Sequence, residues 1–270
     1  MTVSDPAGQL PRRFTLDVDL DRRTFDMSSD AGTAQFAFDS PEGAALAAHF
    51  WKQVGWDTKH VYSFTWHGRP VIQVPDDLVR MQEAFFEVAP DLVIEVGVAH
   101  GGSAVFFAGL CAAQGFGEVV AVELELRPHN REALDAHPLR KYLTFVEGNS
   151  IGEDVVSQVR KLAEGKERVL VFLDGNHTKA HVAAELELYS PLVTEGSWLI
   201  VADGIMHELE GAPRSKPTWQ EDNPVPAIHE FLAEHPEFEH VGPPRPFDES
   251  TFAPTATYFI DGWLKRRAAR

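Results

Sequence analysis

From Asp91 onward, short runs of consecutive apolar residues alternate with longer stretches in which apolar and polar positions are mixed. Leu92-Val-Ile-Glu-Val96 is stopped by Gly97 and followed by a small-residue segment that predicts a helix over Ser103 to Gln114. Glu118 to Glu123 predicts a second strand before a polar helix near Pro128 to His137, and Tyr142 to Val146 predicts a third. The pattern continues with Arg168 to Asp174, a helix from about Ala180 to Leu188, and Trp198 to Asp203. Strands that are apolar throughout, rather than at every second position, are buried on both faces. Parallel neighbours also need a helix to return the chain between them. The expected fold is therefore α/β, a Rossmann-like, doubly wound, mostly parallel sheet.

Outside this core the pattern is weaker. Residues 1–40 contain alternating stretches such as Phe14 to Leu20, which predict a strand or two. Helices are expected over Pro41 to Val54 and Pro75 to Val88. After Asp203 a Pro-rich, irregular stretch runs to Asn223, followed by a helix near Pro226 to His235 and a late strand over Thr255 to Asp261. The expected division is an N-terminal extension with covering helices over 1–65 and the Rossmann-like domain over 66–270.

Composition narrows the partners. With 24 Lys and Arg against 41 Asp and Glu, the 270 residues carry a net charge of −17, which repels nucleic acid and anionic membranes. No apolar run reaches the roughly 20 residues of a membrane helix, and the opening MTVSDPAGQLPRRF lacks a signal-peptide core. The single cysteine, Cys111, has no internal partner, so a reducing cytoplasm is the expected location. Trp198, Trp219 and Phe252 fill cores or serve the contacts of a homo-oligomer.

In an open α/β sheet the ligand lies beyond the carboxyl ends of the strands, and four segments there carry chemistry. In the first, Glu95 to Ser103, Gly97, Gly101 and Gly102 let the backbone approach a ligand, and Ser103 is expected to cap the next helix. The segment is not the G-x-G-x-x-G of dinucleotide enzymes. An acid at Glu95 suits a cofactor bearing an ammonium and a sulfonium, as S-adenosylmethionine does. In the second segment, Glu123 can accept hydrogen bonds from ribose hydroxyls. In the third, Asn149 and Ser150 can meet an adenine edge. The fourth pairs Asp174 with Asp203 at the ends of two strands expected side by side. Either the two hold a hard divalent ion such as Mg²⁺, or one serves the cofactor and the other caps a loop. His177, three residues beyond Asp174, is placed to act as a general base. His181 reads as a solvated helix residue, and His207 and Glu208 are reserve candidates for base or ligand.

These residues resemble a known family. DLVIEVGVAHGGS at Asp91 to Ser103, Trp66 to Asp77 upstream and Val171 to Asp174 downstream are similar to the cephalosporin hydroxylase/rhamnosyl O-methyltransferase family, across roughly Trp66 to Asp203. The resemblance implies a class I methyltransferase fold acting in natural-product (antibiotic) biosynthesis. It places the methionine part of S-adenosylmethionine near Glu95, Gly97, His100, Gly102 and Ser103, the ribose at Glu123, and the adenine at Asn149 and Ser150. It also implies Mg²⁺ at Asp174 and at a Glu-Asp pair, which here reads Ala202-Asp203.

The expected activity is methylation of a small-molecule acceptor: a rhamnose-like sugar hydroxyl, nucleotide-linked or on a glycoside, or a catechol-like diol. Asp174 and His177 are the expected catalytic residues, and Asp174 and Asp203 the expected metal ligands. Two rival classes remain. A non-haem iron hydroxylase needs two histidines and a carboxylate, which His235, Glu237 and His240 offer in a polar, Pro-rich stretch with no jelly-roll pattern. A non-catalytic protein that retains the cofactor fold is the other.

Overall fold

The computed structural model describes residues 13–251 and 256–268. Three strands open the chain, β1 (Thr15–Asp19), β2 (Thr24–Ser29) and β3 (Gly32–Ala37), paired antiparallel as a separate meander. Ser40 ends it and caps α1 (Pro41–Asp57), its hydroxyl accepting from the Gly43 N–H at 3.0 Å. A hairpin of β4 (Phe64–Trp66) and β5 (Arg69–Val71) leads into α2 (Pro75–Val88).

The strand and helix pattern beyond Asp91 then unfolds as β6 (Leu92–Val96), α3 (Gly102–Gln114), β7 (Glu118–Glu123), α4 (Pro128–Asp135), β8 (Leu143–Glu147) and α5 (Glu153–Ala163). It continues through β9 (Val169–Leu173), α6 (Lys179–Tyr189), β10 (Trp198–Val201), α7 (Pro224–Glu234), β11 (Phe238–His240) and β12 (Trp263–Arg266). The seven strands of the main sheet lie in the order β11-β12-β10-β9-β6-β7-β8. Strands β6 to β10 are parallel to one another, and β12 runs antiparallel to both β10 and β11. The α/β, doubly wound class expected from the pattern is the observed one.

Strand alternation divides the interior in two. Val93, Leu170 and Phe172 face α2 and α3, where they meet Met81, Phe85 and Phe107. Leu92, Ile94 and Val171 face the other way, onto Val159 of α5, Leu186 of α6 and Ile228 of α7. The direction in which successive strands are added across the sheet reverses at β6, whose parallel neighbours are β7 on one side and β9 on the other. The connections leaving these strands part there, which opens a crevice at their carboxyl ends.

Several expectations need correction. Helix α5 was not predicted, although Val155, Val156 and Val159 recur at helical spacing behind the acidic pair Glu153-Asp154. Of the late strand expected over Thr255 to Asp261, residues 256–261 form a loop, and the strand lies further on, in β12; Thr255 and Phe252 are outside the described residues. Tertiary bonds override the local pattern at this point. The buried carboxylate of Asp77 accepts from the Thr257 hydroxyl at 2.5 Å and the Tyr258 N–H at 2.9 Å, while the Tyr258 carbonyl accepts from the Ile205 N–H at 3.1 Å. Trp198 is a core residue rather than a surface contact, packed edge-on against Trp263.

Asp77 thus ties α2 to the loop that precedes β12. Truncation as Asp77→Ala leaves the buried Tyr258 N–H without a partner. It is expected to lower the unfolding free energy by about 1–3 kcal/mol, read from the midpoint of urea denaturation at unchanged m-value.

Candidate active site

The turn after β6 is shaped by close backbone approach. Gly97 has φ +97°, and a Cβ placed there would stand 2.1 Å from the Asp174 carbonyl oxygen. Only glycine fits both conditions. At Gly102 a Cβ would stand 2.1 Å from the Pro70 carbonyl oxygen, so the β4–β5 hairpin packs directly on the start of α3. Arg69 on that hairpin donates to the His100 carbonyl at 2.6 and 2.9 Å and to Asn130 Oδ1 at 2.8 Å. Asn130 in turn donates to the Ala99 carbonyl at 2.9 Å. Arg69 and Asn130 are site-building residues that sequence reasoning passed over. Nothing in their local spacing marks them, although Arg69 stands inside the upstream motif.

Ser103 does not cap α3. The cap position is Gly101, in the left-handed region at φ +83°, without a side-chain bond, and Ser103 lies inside the first helical turn. Glu95 is on the strand face that looks toward α3 and is wholly buried. It lines neither of the hollows described below, and neither carboxylate oxygen has a hydrogen-bond partner among the described residues. Burial pushes its pKa up to about 8, with Ser103 lowering it and the charge of Glu123 raising it.

A cavity of about 750 Å³ opens over the carboxyl ends of β6, β7, β8 and β9. Gly97, His100, Glu123, Asn149, Ser150 and Asp174 all line it. A second hollow, about 240 Å³, adjoins it and is lined by Gly102, Ser103, Gln73 and Asp203, together with aromatic residues from outside the sheet. His100, Asp174 and His177 belong to the walls of both.

Two of these side chains are held by the protein itself. Glu123 accepts from the N–H groups of Val98, Ala99 and Leu124 at 2.8, 2.7 and 3.0 Å, which closes its carboxylate onto the glycine turn. The Ser150 hydroxyl donates to Glu185 at 2.6 Å and lies 2.9 Å from His181 Nε2. His181 is therefore a half-buried network member rather than a solvated residue. Burial, and secondarily the proximity of His177, lowers its pKa, while burial raises that of Glu185 to about 7.

Asp174 and Asp203 end the paired strands β9 and β10, as expected. His177 Nε2 lies 3.2 Å from Asp203 Oδ2, and Gln73 donates to Asp174 Oδ2 at 2.8 Å. Ligand atoms of Asp174, His177 and Asp203 all lie within 4.8 Å of one another, the one such group among the described residues. Two carboxylates and an imidazole at this spacing suit a divalent cation. Burial raises the Asp174 pKa well above the carboxylate range, and the charges of Asp203 and Glu95 raise it further. The position before Asp203 is Ala202, buried and without a donor.

The reserve candidates fall elsewhere. His207 is exposed, and Glu208 faces α1, 2.7 Å from Lys52 and 3.6 Å from His49. The iron-hydroxylase set does not assemble. His235 stacks on Phe231 and bonds Glu187 and Glu237, while His240 sits 3.9 Å from Asp261.

A doubly wound sheet with this strand order, an acid at the end of β7 and a glycine turn without the dinucleotide fingerprint define a Rossmann-like methyltransferase. The profile described as rhamnosyl O-methyltransferase/CmcI matches residues 58–267. The chain belongs to this family, which extends the resemblance seen at Trp66 to Asp203 on both sides. The rhamnosyl O-methyltransferase of Mycobacterium leprae is 31% identical over 180 residues, covering 65% of this chain and 74% of that one. That of Mycobacterium bovis is 32% identical over 169 residues, covering 61% of this chain and 64% of the relative, somewhat under two thirds of its length. Among solved structures, ligand-free CmcI superposes with a TM-score of 0.51 at 18% identity, covering 77% of this chain and 78% of that one. CmcI with magnesium and S-adenosylmethionine gives 0.50 at 17%, with the same coverage. The chain is an S-adenosylmethionine-dependent O-methyltransferase. No helix among the described residues is long and apolar enough to cross a membrane.

Glu95 sets a pH dependence of stability. With a folded-state pKa of about 8 against an ordinary 4.5, the folded protein keeps a proton that the unfolded chain has released. Its contribution is complete below pH 4.5 and is lost as pH rises through 8; Asp77 and Glu185, both raised to about 7, act in the same direction. Melting temperature without ligand is expected to fall between pH 5 and 8.5. Glu95→Gln is expected to flatten that fall and to be the more stable form at pH 8.5 by ~1 kcal/mol or more, about 2–4 °C.

Proposed function

We propose that this enzyme methylates a hydroxyl of a sugar, a rhamnose-like deoxysugar carried on a nucleotide or a glycoside, in cytoplasmic natural-product biosynthesis. The observation that carries the reading is the convergence of Asp174 and His177, in the wall shared by the two hollows, with Asp203 of the smaller one. The relatives' names, rhamnosyl O-methyltransferase, support the sugar class. We assign residues 66–270 to the methyltransferase domain and 1–65 to an extension that covers it.

The larger cavity suits the adenosyl part of the cofactor, with the ribose at Glu123 and the adenine toward Asn149 and Ser150. Glu123 would exchange its backbone N–H partners for ribose hydroxyls. Because the Ser150 hydroxyl is committed to Glu185, its part in adenine binding is to accept through its oxygen or to shape the wall. The methionyl part runs by Gly97 and His100 toward Gly102 and Ser103, and Glu95 lies beneath the floor, out of contact with it.

Asp174 and Asp203 would hold Mg²⁺, with His177 close by. A cation bound there supplies Lewis-acid polarisation of the acceptor oxygen. His177 takes the hydroxyl proton as the oxygen attacks the methyl carbon and the carbon–sulfur bond breaks, leaving the methyl ether and S-adenosylhomocysteine. The Asp203 carboxylate 3.2 Å away stabilises the protonated imidazole that results. Gln73 holds the Asp174 carboxylate through Oδ2.

Methyl transfer to nucleotide-activated rhamnose tests this assignment. His177→Ala is expected to lower kcat about 100-fold or more, in line with loss of a general base. Asp174→Asn and treatment with EDTA are each expected to suppress turnover, with recovery on Mg²⁺ addition only in the native chain. Undiminished turnover of His177→Ala would remove that residue from the mechanism.

A further inference from the structure

In-line displacement requires the attacking oxygen to approach the methyl from the side opposite the sulfur. Donor and acceptor must therefore enter from opposite sides of the reacting groups. The two hollows adjoin at the reacting groups, sharing His100, Asp174 and His177 in their walls, so that one can take the donor and the other the acceptor. The larger one carries the features suited to an adenosyl group, and the smaller one differs in its lining.

Three aromatic side chains line the smaller hollow, and none comes from the parallel sheet or its crossover helices. Trp56 is in the last turn of α1, Tyr62 is in the turn that follows, and Tyr258 is in the loop pinned by Asp77. The hollow has two regions. Gly102 lies against Pro70 and Val71, whereas the Tyr258 hydroxyl is beside Gly55, with its ring 6.5 Å from that of Trp56. The first region continues the path proposed for the methionyl group. In the second, Tyr62 is 60% exposed, and the buried Tyr258 hydroxyl has no hydrogen-bond partner among the described residues. A buried donor without a partner is costly, and a ligand hydroxyl would satisfy it. At about 240 Å³ the hollow is smaller than the roughly 300 Å³ at which pockets enclose a whole drug-sized ligand. With one end on the methionyl path, the remainder has room for one ring at most and not for the nucleotide or aglycone attached to that ring.

We propose that the second region of the smaller hollow, around Trp56, Tyr62 and Tyr258, is the acceptor site, seating a single six-membered sugar ring with its apolar C–H face on Tyr62 and its edge beside Trp56, whose ring also carries the Arg214 guanidinium at 5.1 Å. The Tyr258 hydroxyl donates to a ring oxygen that is not methylated. Trp56 and Tyr62 give the N-terminal extension a role in acceptor selection, while the rest of the acceptor projects toward solvent. This inference rests on the sugar reading above and adds the residues that select the ring.

Calorimetric titration of methyl α-L-rhamnopyranoside into enzyme saturated with S-adenosylhomocysteine tests it in the native chain, Tyr62→Ala and Tyr258→Phe. Tyr62 is exposed and Tyr258→Phe removes one oxygen, so both variants are expected to fold. Each is expected to weaken sugar binding about three- to tenfold, the scale of one aromatic face or one hydrogen bond, and to leave the affinity for S-adenosylhomocysteine within about twofold of native. Unchanged sugar affinity in both variants overturns the proposal while leaving the sugar reading intact. Weakened S-adenosylhomocysteine binding with unchanged sugar affinity also overturns it, because the hollow then belongs to the cofactor. Absence of rhamnoside binding to the native enzyme overturns the sugar reading and this inference together.

Discussion

The site depends on the near-contact between Gly97 and the carbonyl of Asp174. Because residue 97 has no side chain to collide with that carbonyl, β6 and β9 can leave the sheet close together, and their connections then diverge. Everything chemical follows from this divergence. The turn after β6 forms one wall of the crevice, the end of β9 delivers Asp174 and His177 to another, and the pairing of β9 with β10 brings Asp203 alongside. The Arg69 and Asn130 clamp on the carbonyls of Ala99 and His100 keeps the turn in place.

Around that junction the protein gathers buried carboxyl groups that burial and mutual repulsion disfavour as anions. Among the described residues Glu95 has no hydrogen-bond partner, Asp174 faces Asp203, and Glu185 is engaged by Ser150 and His181. Buried carboxyls of this kind oppose folding and are retained where a cationic ligand offsets them. The sulfonium and ammonium of S-adenosylmethionine and a divalent cation are such ligands. The same electrostatics that favour binding make the ligand-free protein less stable as pH rises.

The segments outside the parallel sheet complete the site rather than merely cover it. The β4–β5 hairpin presses on Gly102, α2 holds the loop containing Tyr258 through Asp77, and the end of α1 brings Trp56 to the edge of the smaller hollow. The ion pair of Lys52 with Glu208 anchors α1 to the chain just beyond β10. Acceptor selection and cofactor chemistry thus reside on different parts of the fold, joined at His177 and Asp174.

Local pattern sufficed for the five parallel strands, because a strand buried on both faces must be apolar throughout, and for the strand-end acids and Gly97, because only a few residue types suit such turns. It failed where long-range bonds decide. Nothing near Thr255 to Asp261 shows that a carboxylate on α2 holds that segment out of the sheet, and nothing in Glu95 or Ser150 shows that one is sealed beneath the floor and the other tied to Glu185. Periodicity reports which face of an element is apolar. Which side chain meets which partner across 101 or 181 residues depends on how those faces pack, and that only the tertiary structure settles.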